Sequence, residues 1–126
     1  MTTVEGAKTA PALWLPDIYV RLAELKRQLL PFVELESLLR DERQVSAYRH
    51  AMAHHPAIAE MYNLLKDLYV KLVYAGLHDA ANEIYKLYDS YVVKTTYRLD
   101  ERDLPAGLTF DTINAVYNTL NKYVKL

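Results

Sequence analysis

The strongest constraint on the fold is a ladder of apolar residues within positions 56–75, where one recurs at every third or fourth place: Ile58, Met61, Leu65, Leu68 and Leu72. This spacing puts them on one face of an α-helix, whereas a half-buried strand would alternate strictly. Pro56 suits a first helical position, and Gly76 stands where a left-handed cap commonly ends a helix. We therefore predict a helix over these residues and a tight turn into an antiparallel helix over 79–97.

The rest of the chain has the same periodicity. A first helix is expected between Pro16 and Pro31, with this inward stripe: Ile18, Leu22, Leu25 and Leu29. The next segment should break near residues 40–43, and its apolar side comprises Leu35, Leu38, Val45, Tyr48 and Met52. Thr109 is placed to cap a last helix that turns Ile113, Val116, Leu120 and Val124 inward. With only three glycines and no alternating segment, the chain is predicted to be all-α, a bundle of about five amphipathic helices.

A chain of 126 residues is long enough for one domain with a real core. Residues 1–15 are mostly small and polar, so we predict a flexible N-terminal arm there, in which Trp14 and Leu15 could anchor to a neighbour. Residues 16–126 then form a single helical-bundle domain.

Composition excludes several classes of function. The chain has no cysteine, which excludes disulfides, thiolate catalysis and cysteine-ligated metal centres. Fifteen basic and sixteen acidic residues leave a net charge of −1, so no overall field attracts nucleic acid or an anionic membrane. No apolar run suits a membrane span, and the start "MTTVEGAKTAPALWLP" lacks the features of a signal peptide. An intracellular or virion location is expected.

The segment "YRHAMAHH", residues 48–55, holds three of the four histidines. His50 and His54 are four residues apart, so both imidazoles share one helical face and could approach one metal ion. A third ligand would have to come from His55, His78 or Glu60. We favour no metal and no cofactor, with the histidines on a solvated face near a helix C-terminus, where positive charge is stabilising.

The pair Arg49 and His54 in the same segment, preceded by an aromatic residue, resembles the Arg-x4-6-His motif of HEPN-type ribonucleases. That resemblance implies a small helical bundle in which the histidine and the arginine act on the scissile phosphodiester. The alternative for Arg49 is structural, a partly buried ion pair with Glu42 or Asp41. Catalysis stays the minority interpretation.

The stretch "LYVKLVYAGLHDAANEIYKLY" resembles one tetratricopeptide-type helical hairpin, with Leu68, Gly76, Ala81 and Tyr85 at the positions of that pattern. The resemblance implies an adapter that binds peptides or proteins. No second copy follows at a fixed period, which favours an isolated helical hairpin over a repeat array.

Assembly is the interpretation that uses most of the chain. Five arginines lie in its first half, Arg21, Arg27, Arg40, Arg43 and Arg49, and eleven tyrosines stand against two phenylalanines. Together with the arm and the ending "LPAGLTFDTINAVYNTLNKYVKL", this layout resembles the coat proteins of filamentous and rod-shaped archaeal viruses. The resemblance implies N-terminal helices that wrap double-stranded DNA and a bundle that packs against related subunits.

We therefore predict a non-enzymatic, self-associating protein without a small-molecule substrate. The arginines are the candidates for contact with nucleic acid or an acidic partner. The candidates for assembly contacts are large aromatic residues: Trp14, Tyr62, Tyr69, Tyr85 and Tyr88.

Overall fold

The computed structural model describes residues 10–97 and 103–124, and these residues form five α-helices and no strand. We label the helices in chain order as α1 Pro11–Glu36, α2 Glu42–Met52, α3 Pro56–Tyr74, α4 His78–Tyr97 and α5 Pro105–Tyr123. The prediction of an all-α bundle of about five helices is confirmed. Over the described residues, none of the helices combines the length and apolar character that crossing a membrane requires.

Helices α3 and α4 form the predicted antiparallel pair. The ring of Tyr62 lies 5.1 Å from that of Tyr91, and the ring of Tyr69 lies 5.8 Å from that of Tyr85. Residue numbers therefore rise along one helix as they fall along the other. Gly76 makes the turn with a φ of 78°, a left-handed conformation that glycine adopts without a steric cost.

Helices α1 and α5 are antiparallel as well. Tyr19 stacks on Tyr117 with ring centroids 5.7 Å apart, and the Lys26 ammonium lies 5.4 Å from the centre of the Phe110 ring. Helix α1 also packs on α3, and α4 packs on α5, so the four long helices form a bundle with α1 and α4 on a diagonal. The apolar ladders predicted for the first, third and last helices are all buried in its core.

The first helix is longer than predicted at both ends. It begins at Pro11 and continues through Pro16 and Pro31 to Glu36. A proline inside a helix removes a backbone donor and costs about 3 kcal/mol or more. Burial of residues on both sides of each proline offsets that cost: Trp14, Leu15, Ile18 and Leu29, with Phe32 and Val33 partly buried.

This extension corrects the predicted arm. Residues 1–9 of that arm lie outside the described residues. Residues 11–15 are helical and belong to the bundle, so the helical domain begins before residue 16. Trp14 is only 6 % exposed and packs in the core of its own chain. Because the Trp14 side chain is buried within its own chain, it offers little surface for the predicted contact with a neighbouring subunit.

Two other helix ends also have identifiable causes. The break predicted near residues 40–43 falls at residues 37–41, where the Asp41 carboxylate accepts a hydrogen bond from the Arg43 amide at 2.7 Å and caps α2. Leu35 and Leu38, predicted to share the apolar side of this segment, are instead exposed. The last helix begins at Pro105, and not at Thr109, because proline suits the first helical position.

The short helix α2 is held to the end of the bundle through Glu36, the last residue of α1. One Glu36 oxygen accepts from the Ala106 amide at 2.7 Å and the other accepts from the Gly107 amide at 2.8 Å. The Tyr48 hydroxyl of α2 donates to the same carboxylate. Burial, together with the neighbouring carboxylate, raises the pKa of Tyr48, so the hydroxyl keeps its proton and remains a donor.

Candidate interaction surfaces

A small cavity lies where α2 meets the ends of α3, α4 and α5. Its volume is about 120 Å³, and its lining combines polar groups with an apolar floor: Arg49, Met52, Ala53, Ile58, Tyr62, Lys94, Thr95, Asp103, Pro105 and Leu108. Arg49 donates a hydrogen bond to the Asp103 carbonyl at 3.2 Å. His54 is exposed and does not line the cavity. Of the predicted pair, this cavity therefore holds Arg49 but not His54.

The three clustered histidines have separate surroundings. The rings of His50 and His54 are 6.0 Å apart on the surface of the molecule. His55 instead caps α3, because its Nδ1 accepts a hydrogen bond from the Ala57 amide at 3.0 Å. Over residues 10–97 and 103–124, no three histidine, aspartate or glutamate side chains are grouped as metal ligands would be.

Two of the five predicted arginines contact carboxylates of their own chain. Arg21 donates to Asp67 of α3 at 2.8 Å and to Glu60 at 3.4 Å, and Arg27 donates through Nε to Glu24 at 3.0 Å. Burial opposes the charged form of Asp67, but the hydrogen bonds from Lys71 and Arg21 outweigh it and lower the pKa of that carboxyl. The Arg21 guanidinium therefore links α1 to α3, whereas that of Arg27 pairs within α1.

The other arginines lie near α2. Arg49 faces α5, as described, and the Arg40 guanidinium donates to the Ser37 carbonyl at 2.9 Å. Arg40 and Arg43 are exposed beside the loop that joins α1 to α2. The five arginines are therefore spread over several parts of the molecule.

The predicted tyrosines divide into two groups. Tyr62 and Tyr88 are half-buried between α3 and α4, where their rings lie 6.3 Å apart, and the Tyr62 hydroxyl is hydrogen bonded to Thr95. Tyr69 is also half-buried and packs against the core, whereas its neighbour Tyr85 is 56 % exposed. Tyr62, Tyr88 and Tyr69 therefore support the hairpin, whereas Tyr85 is accessible to a partner.

Tyr69 and Tyr85 belong to a larger apolar surface near the turn between α3 and α4. We call this surface the tyrosine ridge; it comprises Tyr69, Val70, Val73, Tyr74 and Tyr85. On α3, Val70 and Tyr74 are four residues apart and exposed by 47 % and 71 %, and the half-buried Tyr69 and Val73, also four apart, lie beside them. Clustered aromatic residues of this kind are enriched in protein interfaces.

A second apolar surface lies on the outward side of α1, opposite its buried stripe. We call it the outer stripe; it comprises Leu13, Pro16, Val20, Ala23 and Leu30, all exposed. Leu13 is 62 % exposed and Val20 is 67 % exposed. The intervals from Leu13 to Ala23 are three, four and three residues, and Leu30 follows seven residues, or two helical turns, later. This spacing is typical of the contact face between packed helices.

Polar side chains separate the two surfaces. Arg21, Glu60 and Asp67 form ion pairs across the groove between α1 and α3, and Lys71 adds a contact of 2.7 Å to Asp67. The outer stripe lies on α1, on one side of these ion pairs. The tyrosine ridge lies on α3 and α4, on the other side. The molecule therefore presents two distinct apolar surfaces on different faces.

The sequence interpretation found the tyrosines but missed the outer stripe. The signal was present, since Leu13, Val20 and Leu30 follow the same repeat as the core of α1 but on its other side. Placing Pro16 and Pro31 at the helix ends hid it, because the outer stripe crosses the first proline. A comparison of the chain with protein-family models, curated proteins and solved structures finds no significant match.

Proposed function

We propose that this protein is a non-enzymatic subunit that associates with other copies of itself. The observation that carries the proposal is that α1 has a line of exposed apolar residues, set among charged ones, on the side opposite its core face. One face fills the core of the bundle, and the other, the outer stripe, is exposed to solvent. An aligned set of exposed apolar side chains on one helix suits packing against another helix.

The energetic argument rests on the exposed side chains. Leu13, Val20 and Leu30 are between about one half and two thirds exposed. Removing each from water would contribute about 1 to 2 kcal/mol to association. Dispersed apolar residues on a surface need no explanation, but an aligned set on one helix favours a partner helix.

A filament or virion subunit that contacts duplex DNA is the most specific version of this proposal. Its support is limited to Arg40 and Arg43, the two arginines that are exposed beside α2 and make no ion pair with a described residue. Guanidinium groups in that setting suit phosphate oxygens, and such contacts weaken as salt concentration rises.

The test is the solution mass, measured by size-exclusion chromatography with light scattering over a concentration series, with and without duplex DNA. Wild type should form species heavier than a monomer, and Val20→Glu should lose them. Leu38→Glu is the matched control, because Leu38 is 69 % exposed but lies outside both surfaces. A wild type that stays monomeric throughout would refute the proposal.

The DNA version has its own test. If it is right, Arg40→Gln with Arg43→Gln should weaken DNA binding without changing assembly in its absence. RNA cleavage by wild type that disappears in Arg49→Ala and His54→Ala would instead favour the ribonuclease alternative.

A further inference from the structure

We infer that the outer stripe of one copy packs on the tyrosine ridge of a second copy, so that the molecules associate head to tail. This inference rests on the proposed self-association and specifies which surfaces meet. Both surfaces are helix faces with side chains three or four residues apart, and such faces interdigitate as ridges and grooves. The large tyrosines of the ridge can fill the space above the small residues of the stripe, Pro16 and Ala23.

The charges on the two surfaces favour the packing of a stripe on a ridge over the packing of two stripes on each other. The exposed charged residues of the outer α1 face are three acids and one base: Asp17, Glu24, Glu34 and Arg27. Arg27 is engaged with Glu24, and the Arg21 guanidinium lies 3.8 Å from Asp17, so the face keeps a negative excess of one charge, carried by Glu34. Two copies of this face packed together would bring carboxylates near carboxylates, which opposes association.

The charged side chains around the tyrosine ridge have the opposite net sign. Lys66 lies one turn before Tyr69 and Val70 on α3, and Lys86 and Asp89 flank Tyr85 on α4; all three charged residues are exposed. Lys71 and Asp67, which are also neighbours of Val70 and Tyr74 on α3, pair with each other at 2.7 Å. The surroundings of the ridge therefore keep a positive excess of one charge, opposite in sign to the α1 face. Complementary charge selects the partner and the orientation more than it adds affinity.

Because the two surfaces that meet are different, the assembly can grow beyond a dimer. A copy that has used its ridge still offers its stripe, so each addition creates a new binding site. Such heterologous contacts give a ring if the rotation closes and an open filament if it does not. The pairing of identical surfaces would stop at a dimer.

The experiment blocks one surface at a time. Val20→Glu removes the stripe and Tyr74→Glu removes the ridge, at positions exposed enough for the fold to tolerate the change. Each variant alone should be monomeric, with an apparent Kd raised about thirtyfold or more. An equimolar mixture should form a one-to-one dimer and nothing larger, because it contains one intact stripe and one intact ridge.

Native mass spectrometry reads out the composition of the mixture, since the two variants differ in mass. Leu13→Glu and Tyr85→Glu provide a second pair, and circular dichroism checks that every variant remains helical. Tyr74→Glu that assembles as wild type does would overturn the inference, because the stripe would then pair without the ridge. A mixture that stays monomeric would overturn it as well.

Salt gives an independent readout. If the negative stripe meets the positive ridge, raising sodium chloride from about 50 mM to about 500 mM should weaken wild-type association severalfold. Association that strengthens with salt would indicate contact between like charges and would contradict the inference. A wild type that is monomeric at every salt concentration refutes the proposed self-association itself, so the two failures are distinguishable.

Discussion

Removal of the Glu36 carboxylate is expected to loosen α2 and the start of α5 at once. Leu104, the residue that precedes α5, provides no side-chain cap. Glu36 supplies the missing acceptor from 70 residues away, through the Ala106 and Gly107 amides, and it also accepts from Tyr48. A carboxylate at this position also complements the positive end of the helix dipole. Glu36→Ala leaves all three donors without this acceptor.

The magnitude follows from these contacts. Loss of a capping side chain costs typically about 1 kcal/mol and up to about 2, and the lost charge at the helix N-terminus adds about 0.5 kcal/mol. The unpaired Tyr48 hydroxyl adds about 1 kcal/mol. Because Glu36 is half-buried, we expect a total of about 2 to 3 kcal/mol, or a fall in Tm of roughly 10 °C.

Urea unfolding followed by circular dichroism measures this loss. Glu34→Ala is the matched control, since Glu34 is an exposed acid on the same turn, and it should stay within about 0.5 kcal/mol of wild type. Tyr48→Phe should cost about 1 kcal/mol alone and almost nothing when added to Glu36→Ala, because its acceptor is then gone. A Glu36→Ala protein as stable as wild type, or fully additive losses, would refute the capping role.

Three further changes test other parts of the fold by the same unfolding assay. Gly76→Ala should cost about 1 kcal/mol because of the left-handed φ, and Gly76→Asn should cost less; equal costs would contradict this reason. Asp67→Asn should cost about 0.5 to 1 kcal/mol at pH 7. The pKa of Asp67 is lowered by folding, so its contribution is present above the unfolded pKa of about 4 and should disappear as the pH falls through the lower folded value; a difference that persists at pH 2 would contradict this. Gly107→Ala should fail to give the gain of about 1 kcal/mol usual in a helix, because its Cβ would lie 3.1 Å from a Glu36 oxygen, and the gain should appear in the Glu36→Ala background.

Local signals predicted the α3–α4 hairpin well. Pro56 begins α3, Gly76 turns the chain, and the ladder from Ile58 to Leu72 is buried. Each of these features depends on residues close together in sequence, where helix geometry and turn stereochemistry decide the outcome.

Long-range packing accounts for the errors. Pro16 and Pro31 were predicted to bound the first helix, yet the helix passes through both because burial of Trp14, Leu15 and Leu29 outweighs the lost hydrogen bonds. The start of α5 depends on the carboxylate of α1, which no local pattern reveals.

The candidate site was predicted only in part. Tyr85 is exposed, Tyr69 is half-buried and Trp14 is buried, so the aromatic residues chosen from the sequence differ in their accessibility. The arginines could not be assigned from sequence, because the carboxylates that engage Arg21 come from α3, about 40 to 50 residues away. Shared helical faces show which residues are neighbours on one helix, but they do not identify partners on another.

The two apolar faces of α1 connect the fold to the proposed function. The core face extends α1 through two prolines, and this extension places Leu13 on the same helix as Val20 and Leu30. With a helix start at Pro16, the outer stripe would lose its first residue and three residues of its length. The packing that makes α1 long is therefore also what produces a continuous surface for a second copy, so shortening α1 from its N-terminus should weaken assembly before it unfolds the bundle.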